Sequence, residues 1–584
     1  MAIQMVLKTN SLRRCENLSS NEQDRMNNGN NRPLTVGRYA FTACLLAVSA
    51  FSLAQEEPKD QIHLSGSIQS DIIFPQSDSK IGTEDYSEWA LTNTFAEINL
   101  TSNHLDAGVR FEYLEHPMPG FLGISPDYAG WGVPYFYVKG HGRNTDLTIG
   151  SFYEQFGSGF ILRNYEERSL GIDNSLLGAR LHTNPCKGVS LKVLAGVQRR
   201  YWGWNNSMVA GADMELSLDQ WIKPLAEKGT YLTFGASYVT RYEGEEEILV
   251  DRTHKLNLPE YVGAYDLRLR LQTGGWNILA EWAQKGQDPN SNNGYIYRKG
   301  YAAMLSTSYS KKGLTLMAQA KRSDNMVYRS RRTLPSAVET SSYINHLPAF
   351  TQEHTYALAA HYPYATQPDG EWAYQGEVGY TFKKHTLLGG KYGTKVKLNF
   401  SYVNGISKNE HGGMGTDGYG SAFWKWGSSR NYQDLNVQVE KKLSRDFKLN
   451  LMYMNQFYNQ AVIEGHGEMI HSNIFVAEGK YRINKTFTLR GEAQYLTTGE
   501  DQGDWAYGLL ELSVQPHLMF SASDEWNCGE SDIHYYNVSA TYSIGGHRLQ
   551  LGYVRNRAGY NCSGGVCRWV PASKGATISY NYNF

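Results

Sequence analysis

The sequence is dominated by short segments in which apolar and polar residues alternate. Side chains along a β-strand point alternately to its two faces, so a period of two predicts strands with one apolar and one polar face. No segment keeps a helical period for more than a couple of turns, and residues 218–229 hold the best candidate for a short helix. The clearest strands are Val109/Phe111/Tyr113 against Arg110/Glu112, Leu232/Phe234/Ala236/Tyr238 against Thr233/Gly235/Ser237, and Val538/Ala540/Tyr542/Ile544 against Ser539/Thr541/Ser543.

The last ten residues form such a strand and end the chain on an aromatic residue. Ile578, Tyr580, Tyr582 and Phe584 share one face, opposite small polar residues. An apolar face opposite a wet face suits a transmembrane barrel strand, with lipid outside and water inside. This ending resembles the C-terminal signature of bacterial outer-membrane proteins, which implies that Tyr580, Tyr582 and Phe584 form a signal for the barrel-assembly machinery.

Connections between the predicted strands alternate in length. Short turns and long polar links alternating in this way are typical of outer-membrane barrels, which place short turns on the periplasmic side. The short turns are 103–106, 141–146, 182–188, 273–275, 310–313, 483–485, 514–517 and 545–547, and the long links are 75–90, 117–131, 157–175, 244–259, 324–352 and 558–574.

We predict an all-β fold, a single large antiparallel transmembrane β-barrel. Counting every segment gives about 25 strands, and single-chain bacterial barrels have an even number. The prediction is therefore 24 strands, with a range of 22 to 26. Either a further strand lies in residues 418–426, or one of the segments near Tyr356, Trp372 and Lys395 is not a membrane strand.

The amino-acid composition narrows the class of protein to which the chain could belong. The chain has 584 residues, with 58 Gly, 41 Tyr and 13% aromatic residues, which suits strands and tight turns. Beyond the N-terminal segment no run of about 18 apolar residues occurs, which excludes transmembrane helices. A net charge of -1 argues against a nucleic-acid partner. On composition alone, a large soluble β-protein is an equal alternative.

The N-terminus indicates export. Arg32 and Arg38 precede an apolar stretch at 41–54 that ends in a Ser-x-Ala cleavage site. We therefore expect a signal peptide at residues 1–54 and an outer-membrane β-barrel at 55–584.

Two alternatives remain at this end of the chain. The polar stretch before Met26 is too long for an ordinary signal peptide, so translation is expected to start at Met26. Cys44 raises lipoprotein processing as an alternative, but it stands near the start of the apolar run, whereas a lipobox cysteine ends it. A soluble periplasmic or secreted β-protein also remains open.

Loops are expected to fold into the lumen, because wide barrels are plugged. The candidates are residues 157–175, 324–352 and the Gly-rich 405–430. The first contains apolar residues that need burial, together with charges suited to a constriction. The alternative is an extracellular loop whose charges pair with one another or with lipopolysaccharide. Its charged residues are Arg163, Glu166, Glu167, Arg168 and Asp173.

Charged residues also fall on the polar faces of strands and should point into the lumen. Both signs occur, so strong ion selectivity is not expected. The alternative role is structural, as pairs across neighbouring strands. These residues are Asp266, Arg268, Arg270, Lys395, Lys397, Glu478, Lys480, Arg482, Arg490 and Glu492.

Cysteines fit an oxidising compartment. Cys562 and Cys567 bracket four residues in the last long loop, and we predict a disulfide there, the alternative being two free thiols. Cys186 falls in a predicted periplasmic turn and Cys528 in a predicted outer loop, so these two should not pair. Cys528 could instead reach the loop at 562–567.

Recognisable catalytic chemistry is missing. His466, Glu468 and His471 are metal-ligand types at short spacing, but no helix presents both histidines on one face, so the match is weak and no metal site is predicted. Nucleophile-elbow, phosphate-loop and zinc-protease motifs are absent from the sequence. We therefore predict no enzyme activity and no cofactor.

Taken whole, the mature chain resembles a family of Bacteroidota outer-membrane barrels of unknown function. The resemblance rests on RNYEERSLGIDNS (163–175), HTY (354–356) with YPYATQ (362–367), GGKYGT (389–394) and CSGGVCRWVP (562–571). It implies the fold and a location in the outer membrane of a Gram-negative cell, in contact with lipid and lipopolysaccharide, but supplies no activity.

Three functions follow as hypotheses. The first is a porin-like channel for passive passage of small solutes. The second is a sealed barrel that acts as a scaffold or accessory subunit of an envelope assembly, secretion or transport complex, with envelope proteins as partners. The third, an outer-membrane enzyme, has no support in any motif.

Overall fold

The structure, a computed structural model, describes residues 62–334, 340–411 and 416–584. The expected signal peptide at 1–54, its cleavage site and the start at Met26 lie outside these residues.

The described chain forms one closed barrel of 24 antiparallel strands, as the sequence predicts. Each strand pairs with its neighbours in sequence, and the last strand pairs with the first from Ser67–Asn583 to Pro75–Gly575, which closes the barrel. The strands are β1 His63–Pro75, β2 Leu91–Thr101, β3 Leu105–Leu114, β4 Gly130–His141, β5 Thr145–Phe152, β6 Leu176–Thr183, β7 Val189–Arg200, β8 Gly203–Ser217, β9 Tyr231–Tyr242, β10 Tyr261–Thr273, β11 Trp276–Gln287, β12 Lys299–Lys311, β13 Leu314–Asp324, β14 Gly370–Phe382, β15 Thr394–Ile406, β16 Trp426–Lys442, β17 Phe447–Asn459, β18 Met469–Arg482, β19 Phe487–Thr498, β20 Trp505–Val514, β21 Leu518–Asn527, β22 Ile533–Ile544, β23 His547–Asn556 and β24 Ser573–Asn583.

The fold shows which of the uncertain segments near Tyr356, Trp372, Lys395 and 418–426 are barrel strands. Trp372 lies in β14 and Lys395 in β15, whereas Tyr356 belongs to a long loop and not to a strand. Residues 418–426 contribute only Tyr419–Gly420, which pairs with Asn409–Glu410 outside the barrel sheet, and the first residue of β16.

Short turns gather at one end of the barrel, with residues 62 and 584, and long loops at the other end. We call these the short-turn end and the long-loop end. Four connections depart from the rule. The short connections 201–202 and 528–532 lie at the long-loop end, and the longer connections 218–230 and 383–393 lie at the short-turn end.

The strands carry apolar residues on the outside and polar residues inside. In β10, Leu267 and Leu269 are exposed on the outward face, while Asp266 and Arg268 point inward and are buried. Tyr580 and Tyr582 lie on the outward face of β24, and Ser579 points inward, where it donates a hydrogen bond to Asp71 at 2.6 Å. The faces predicted from alternation are therefore the faces observed.

Helices are minor in the described residues. No helix there is long and apolar enough to cross a membrane. The helical segments are the 3-10 turns Pro126–Tyr128, Arg168–Leu170, Leu218–Gln220 and Thr340–Ser342 and the α-helices Lys223–Glu227 and Gln460–Ile463, and the small hairpins outside the barrel sheet pair Glu166–Glu167 with Ile172–Asp173 and Gly559–Ser563 with Val566–Val570.

Candidate functional site

The lumen at the long-loop end is filled by two loops that fold inward. The first plug loop, residues 153–175, follows β5 and buries Phe160, Ile161 and Leu162 completely, at 0% exposure. Its apolar side chains pack on small inward residues such as Ala283 and Ala302. Small wall residues leave room for large loop residues, so loop and wall form one dry core inside the barrel.

A buried network of charges fixes the base of this loop to the wall. Asp173 accepts hydrogen bonds from Arg110 of β3 and from Arg199 of β7, the latter at 2.6 Å. Glu112 of β3 binds both arginines, with 2.7 Å from Glu112 Oε1 to Arg110 Nε and from Glu112 Oε2 to Arg199 Nη2. Glu166 accepts from Arg110 at 3.0 Å. Each buried charge therefore has an opposite partner, without which its burial would be costly.

The protonation of Asp173 follows from these partners. Burial of the carboxyl acts to raise its pKa, but the guanidinium groups of Arg199 and Arg110 and the backbone N–H of Ser175 lower the pKa to about 2. Asp173 is therefore ionised at neutral pH, as the network requires.

The tip of the first plug loop is held by Glu281 of β11. Ser158 donates its backbone N–H to Glu281 Oε1 at 2.9 Å and its hydroxyl to Oε2 at 2.6 Å. Gly157 has φ +52°, and a Cβ there would lie 2.6 Å from Glu281 Oε1. Glycine is needed at this position for both its backbone angle and its size.

Arg268 lies beside this tip and binds several carboxylates of the wall. Its Nη1 is 3.0 Å from Asp266 Oδ1, and its Nη2 is 2.9 Å from Glu215 Oε1 and also binds Asp213. The sequence-predicted lumen residues Asp266 and Arg268 are thus near neighbours inside the barrel. Their contacts are those of a structural network across β8, β10 and β11, the alternative role considered for them.

The second plug loop, described at residues 325–334 and 340–369, packs against the first. Asn345 Nδ2 donates to the carbonyl oxygens of Phe160 and Met326, at 2.8 Å each. Burial, aided by the nearby Arg163, lowers the pKa of His346 to about 3. The imidazole is therefore neutral, and its Nε2 accepts a hydrogen bond from Asn174 Nδ2 at 3.2 Å.

The rest of the second plug loop crosses to the opposite wall. There Leu358, Tyr362 and their apolar neighbours pack on inward residues of β17 to β20, including Met454 and Leu496. Leu358 N–H donates to Gln494 Oε1 at 2.9 Å, and the Tyr362 hydroxyl donates to Asp501 at 2.9 Å. The two plug loops together therefore contact walls on both sides of the lumen.

A disulfide hairpin joins the two plug loops from above. Cys562 and Cys567 are bonded within the hairpin at 559–570. Its Gly565 carbonyl accepts from Thr366 N–H of the second plug loop at 2.9 Å. Arg568 donates to the Ser169 carbonyl of the first plug loop at 3.0 Å. The hairpin is therefore positioned to stabilise the plug as a unit.

The third loop expected in the lumen lies elsewhere, and that prediction is wrong for its described part. Residues 416–425, which we call the strap, cover the outward face of the barrel, where the Phe423 ring lies 5.6 Å from Trp372 and 5.9 Å from Trp282. Alternation places both tryptophans on the outward faces of β14 and β11. Glycine content could not indicate the side, because outward and inward walls both offer apolar surface to Phe423.

The strap buries the outward-pointing charged side chain of Arg322. Arg322 of β13 is 0% exposed and lies among the rings of Tyr301, Trp372 and Phe423, with 4.8 Å from its guanidinium carbon to the Tyr301 centroid. Arg322 Nη2 also donates to the Ser421 hydroxyl at 2.6 Å. Cation–π contacts and this hydrogen bond stabilise a cation that would otherwise face the outside of the barrel.

Below the plug, the lumen at the short-turn end is open to solvent. The inward-facing side chains of Arg270, Lys395 and Lys480 are exposed there. We call this space the vestibule. Predicted lumen residues also form ion pairs. Lys395 pairs with Glu440 at 3.3 Å, Lys397 with Glu377 at 2.7 Å and Arg490 with Glu478 at 3.1 Å, each on a neighbouring strand. Arg490 also pairs with Glu492 of its own strand, and Arg482 pairs with Asp446 of a short turn.

The other charged residues of the first plug loop contact the loop itself, strand β2 and the disulfide hairpin. The Arg163 guanidinium lies 4.8 Å from the Tyr165 ring centroid. Arg168 Nε is 2.7 Å from Glu166 Oε1, and Arg168 also binds Glu97 of β2. Glu167 accepts from the Ser563 hydroxyl of the disulfide hairpin at 3.4 Å.

The second plug loop reaches one side of the lumen at His361, which contacts Trp505 of β20 and Glu525 of β21, but it leaves a space beside it. A polar pocket of about 400 Å³ lies along β20 to β24, beside the disulfide hairpin. We call it the side pocket. Asn537 of β22 and Asn556 of β23 line it and are exposed, although Asn537 belongs to the inward face. Sequence reasoning missed this site, because neutral polar residues on an inward face carry no distinctive motif.

The buried network at Arg110, Glu112 and Arg199 was also missed as a site. Alternation placed Arg110 and Glu112 on one polar face, which is the signal that could have found them. Their partner Asp173 is far away in sequence and comes close only because the loop folds inward.

The weak metal candidate separates into two ion pairs. His466 lies 3.5 Å from Glu464, and His471 lies 3.3 Å from Glu500. In the part of the chain that the structure describes, no three His, Cys, Asp or Glu residues are grouped so that they could hold a metal. Cys186 and Cys528 are free thiols.

These features define a closed 24-stranded antiparallel barrel with an internal plug made of its own loops. The chain belongs to a family of unknown function (DUF6029), whose model matches residues 38–584. The sequence matches none of the curated proteins with which it was compared.

Several solved structures have a weak similarity to this chain. The siderophore receptor PirA from Pseudomonas aeruginosa is 10% identical, with a TM-score of 0.40 and coverage of 91% of this chain and 81% of that one. The translocation pore of the P pilus usher PapC is 10% identical, with a TM-score of 0.38 and coverage of 90% and 99%. A mutant of the Rh. blastica porin is 12% identical, with a TM-score of 0.25 and coverage of 56% and 93%.

Proposed function

We propose that the protein is a non-enzymatic outer-membrane barrel that lets small polar solutes pass by diffusion, through a route between its plug and the wall formed by β20 to β24. The observation that carries this proposal is the side pocket, a space of about 400 Å³ beside the packed plug that both polar and aromatic side chains line.

The outward surface supports insertion in a membrane. Exposed apolar residues such as Leu305, Leu398, Val538 and Leu551 stand on the outward faces of strands around the barrel. A continuous apolar surface of this kind is costly in water and matches lipid. Outer-membrane lipid and lipopolysaccharide are thus the expected neighbours of this surface, and the barrel-assembly machinery the expected inserting partner.

The inner surface supports a hydrated route. Strands β21 to β24 carry small polar residues inward, among them Ser521, Ser539, Gln550 and Asn581, none of which is buried. These residues lie between the vestibule and the side pocket. A solute could therefore travel along polar groups without crossing the dry core of the plug. Cations and carboxylates occur together near the vestibule, as in the pairs of Lys395 with Glu440 and Lys397 with Glu377, which favours weak ion selectivity.

Blocking the pocket tests the route. In a planar bilayer the purified protein should conduct salt, and Asn537→Trp should lower the conductance several-fold, because the larger side chain fills the polar side of β22. Val538→Trp is the matched control, since the neighbouring residue faces outward and an apolar replacement suits that face. Equal conductance in Asn537→Trp and the native protein would place the route elsewhere.

The plug itself gives a second test. Deletion of residues 160–172 removes most of the first plug loop, so conductance should rise above that of the native protein. The joined plug loops favour a second candidate function, a sealed barrel that acts as a scaffold or accessory subunit for envelope proteins. A silent native protein whose deletion variant conducts would support that function instead.

A further inference from the structure

The side pocket combines aromatic rings with groups that both donate and accept hydrogen bonds. Tyr507 of β20, Tyr535 of β22 and Tyr560 of the disulfide hairpin line it from different elements. The Tyr535 ring stacks on buried Trp505, with 6.0 Å between ring centroids. Tyr560 contacts Trp569 in the hairpin, at 5.2 Å. Tyrosines placed on firm supports offer flat apolar faces at small entropic cost.

Side-chain amides supply the polar contacts. Asn537, Asn556 and Asn561 line the pocket, and all three are exposed. An amide presents a donor and an acceptor on adjacent atoms. A sugar hydroxyl is likewise both donor and acceptor, so amides match a ligand whose edge is a row of hydroxyls.

The charges in the pocket are already paired. Arg557 Nε is 2.8 Å from Glu525 Oε1, and Arg555 is held by Asp78, with 2.9 Å from Arg555 Nε to Asp78 Oδ2. A carboxylate or ammonium ligand would have to compete with these pairs. A neutral ligand can instead add hydrogen bonds to them.

We infer that the side pocket binds a neutral saccharide, of one or two rings, on its way through the barrel. This inference rests on the proposed channel function and names its solute. Apolar C–H faces of sugar rings fit the tyrosine rings, and hydroxyl edges fit the asparagines and the paired charges. A volume of about 400 Å³ lies at the small end of the range of about 300–1,000 Å³ found for ligand sites.

The experiment records the salt current through the native protein while glucose, maltose or maltotriose is added. We expect concentration-dependent interruptions of the current, stronger for maltose than for maltotriose. Tyr535→Leu should raise the half-saturating maltose concentration at least tenfold, because it removes an aromatic face from the pocket while changing the side-chain volume little. Tyr542→Leu, on the outward face of the same strand, should behave as the native protein.

Failures of the inference and of the channel function are distinguishable. A steady salt current that none of the sugars interrupts would overturn the saccharide-binding inference but would still support the channel function. Equal interruption by glutamate and arginine would also overturn it, because the pocket would then be a general polar site. A barrel that conducts no salt current would overturn the channel function. Saccharide binding would then be tested by calorimetric titration of maltose into the detergent-solubilised protein. Absence of binding would overturn the inference, and binding that is lost in Tyr535→Leu would support it.

Discussion

The carboxylate of Asp173, in the first plug loop, lies 2.6 Å from the Nη1 of Arg199 on the wall of the barrel. Arg199 is buried in the lumen, Asp173 is 13% exposed, and each compensates part of the other's charge. The contact joins a loop that could in principle leave the lumen to a strand that cannot. The position of the plug is therefore coupled to a specific buried ion pair.

Removing the carboxylate should loosen the plug. We expect Asp173→Asn to lower the free energy of unfolding by about 3 kcal/mol, because Arg199 and Arg110 lose a buried counter-charge. Urea unfolding in lipid vesicles would measure the change. Asp127→Asn is the control, since Asp127 is 60% exposed in its pair with Arg200, and exposed pairs contribute at most about 1 kcal/mol. Equal effects of the two substitutions would contradict the role of Asp173.

The same contact predicts a dependence on pH. The pKa of Asp173 is lowered from 3.8 to about 2 in the folded protein. Its contribution, about 2 kcal/mol, is therefore fully present above the unfolded pKa and is lost as pH falls through the folded pKa. We expect the stability difference between native protein and Asp173→Asn to be constant above pH 5 and to shrink towards pH 2. A difference that stays constant down to pH 2 would show that the ionised carboxylate is not what matters.

Much of the fold could be predicted because its physical cause is local. Alternation in segments such as residues 265–271 fixes which side chains face the lumen, since a strand has only two faces. The even strand number follows from closing an antiparallel sheet on itself, and the alternation of short turns with long loops follows the pattern typical of transmembrane barrels. Tyr356 was ambiguous because apolar plug residues and apolar strand residues are alike in composition.

The interior could not be predicted to the same depth. Asp173, Arg110 and Arg199 meet only after a loop turns inward, and no local pattern encodes that turn. The position of the strap could not be predicted from the sequence either, because Phe423 could pack on the inward or the outward face of the barrel wall. The side pocket is defined by what the plug leaves uncovered, which depends on the whole barrel.

Arg322 should be required for the strap. Arg322→Ala removes the cation among Tyr301, Trp372 and Phe423 and leaves a cavity under the strap, so residues 416–425 should detach more readily. Limited trypsin digestion would detect this as faster cleavage after Lys425, while the barrel stays intact. Trp424→Ala should have little effect, because Trp424 is 83% exposed. Unchanged cleavage in Arg322→Ala would mean that aromatic packing alone holds the strap.

Loss of the disulfide should destabilise the plug more than the barrel. Replacing Cys562 and Cys567 together by serine removes a constraint worth about 2 kcal/mol for so short a loop. We expect the barrel to assemble normally, with faster proteolysis after Arg568 and a noisier or larger conductance, because the disulfide hairpin contacts both plug loops. Serine at Cys186 and Cys528, the free thiols, serves as the control. Native-like proteolysis of the double variant would show that hydrogen bonds suffice to hold the hairpin.

The C-terminal residue closes the barrel as well as ending the chain. Phe584 N–H donates to the Gly66 carbonyl and Gly66 N–H donates to the Phe584 carbonyl, both at 3.1 Å, so deletion removes two bonds of the closing strand pair. It also removes the last aromatic of the proposed assembly signal. In cells, the deletion should strongly reduce folded protein, seen as loss of the heat-modifiable band on a gel. Refolding the purified variant in detergent separates the two causes: recovery would assign the loss to the assembly machinery, and failure to the missing strand contacts.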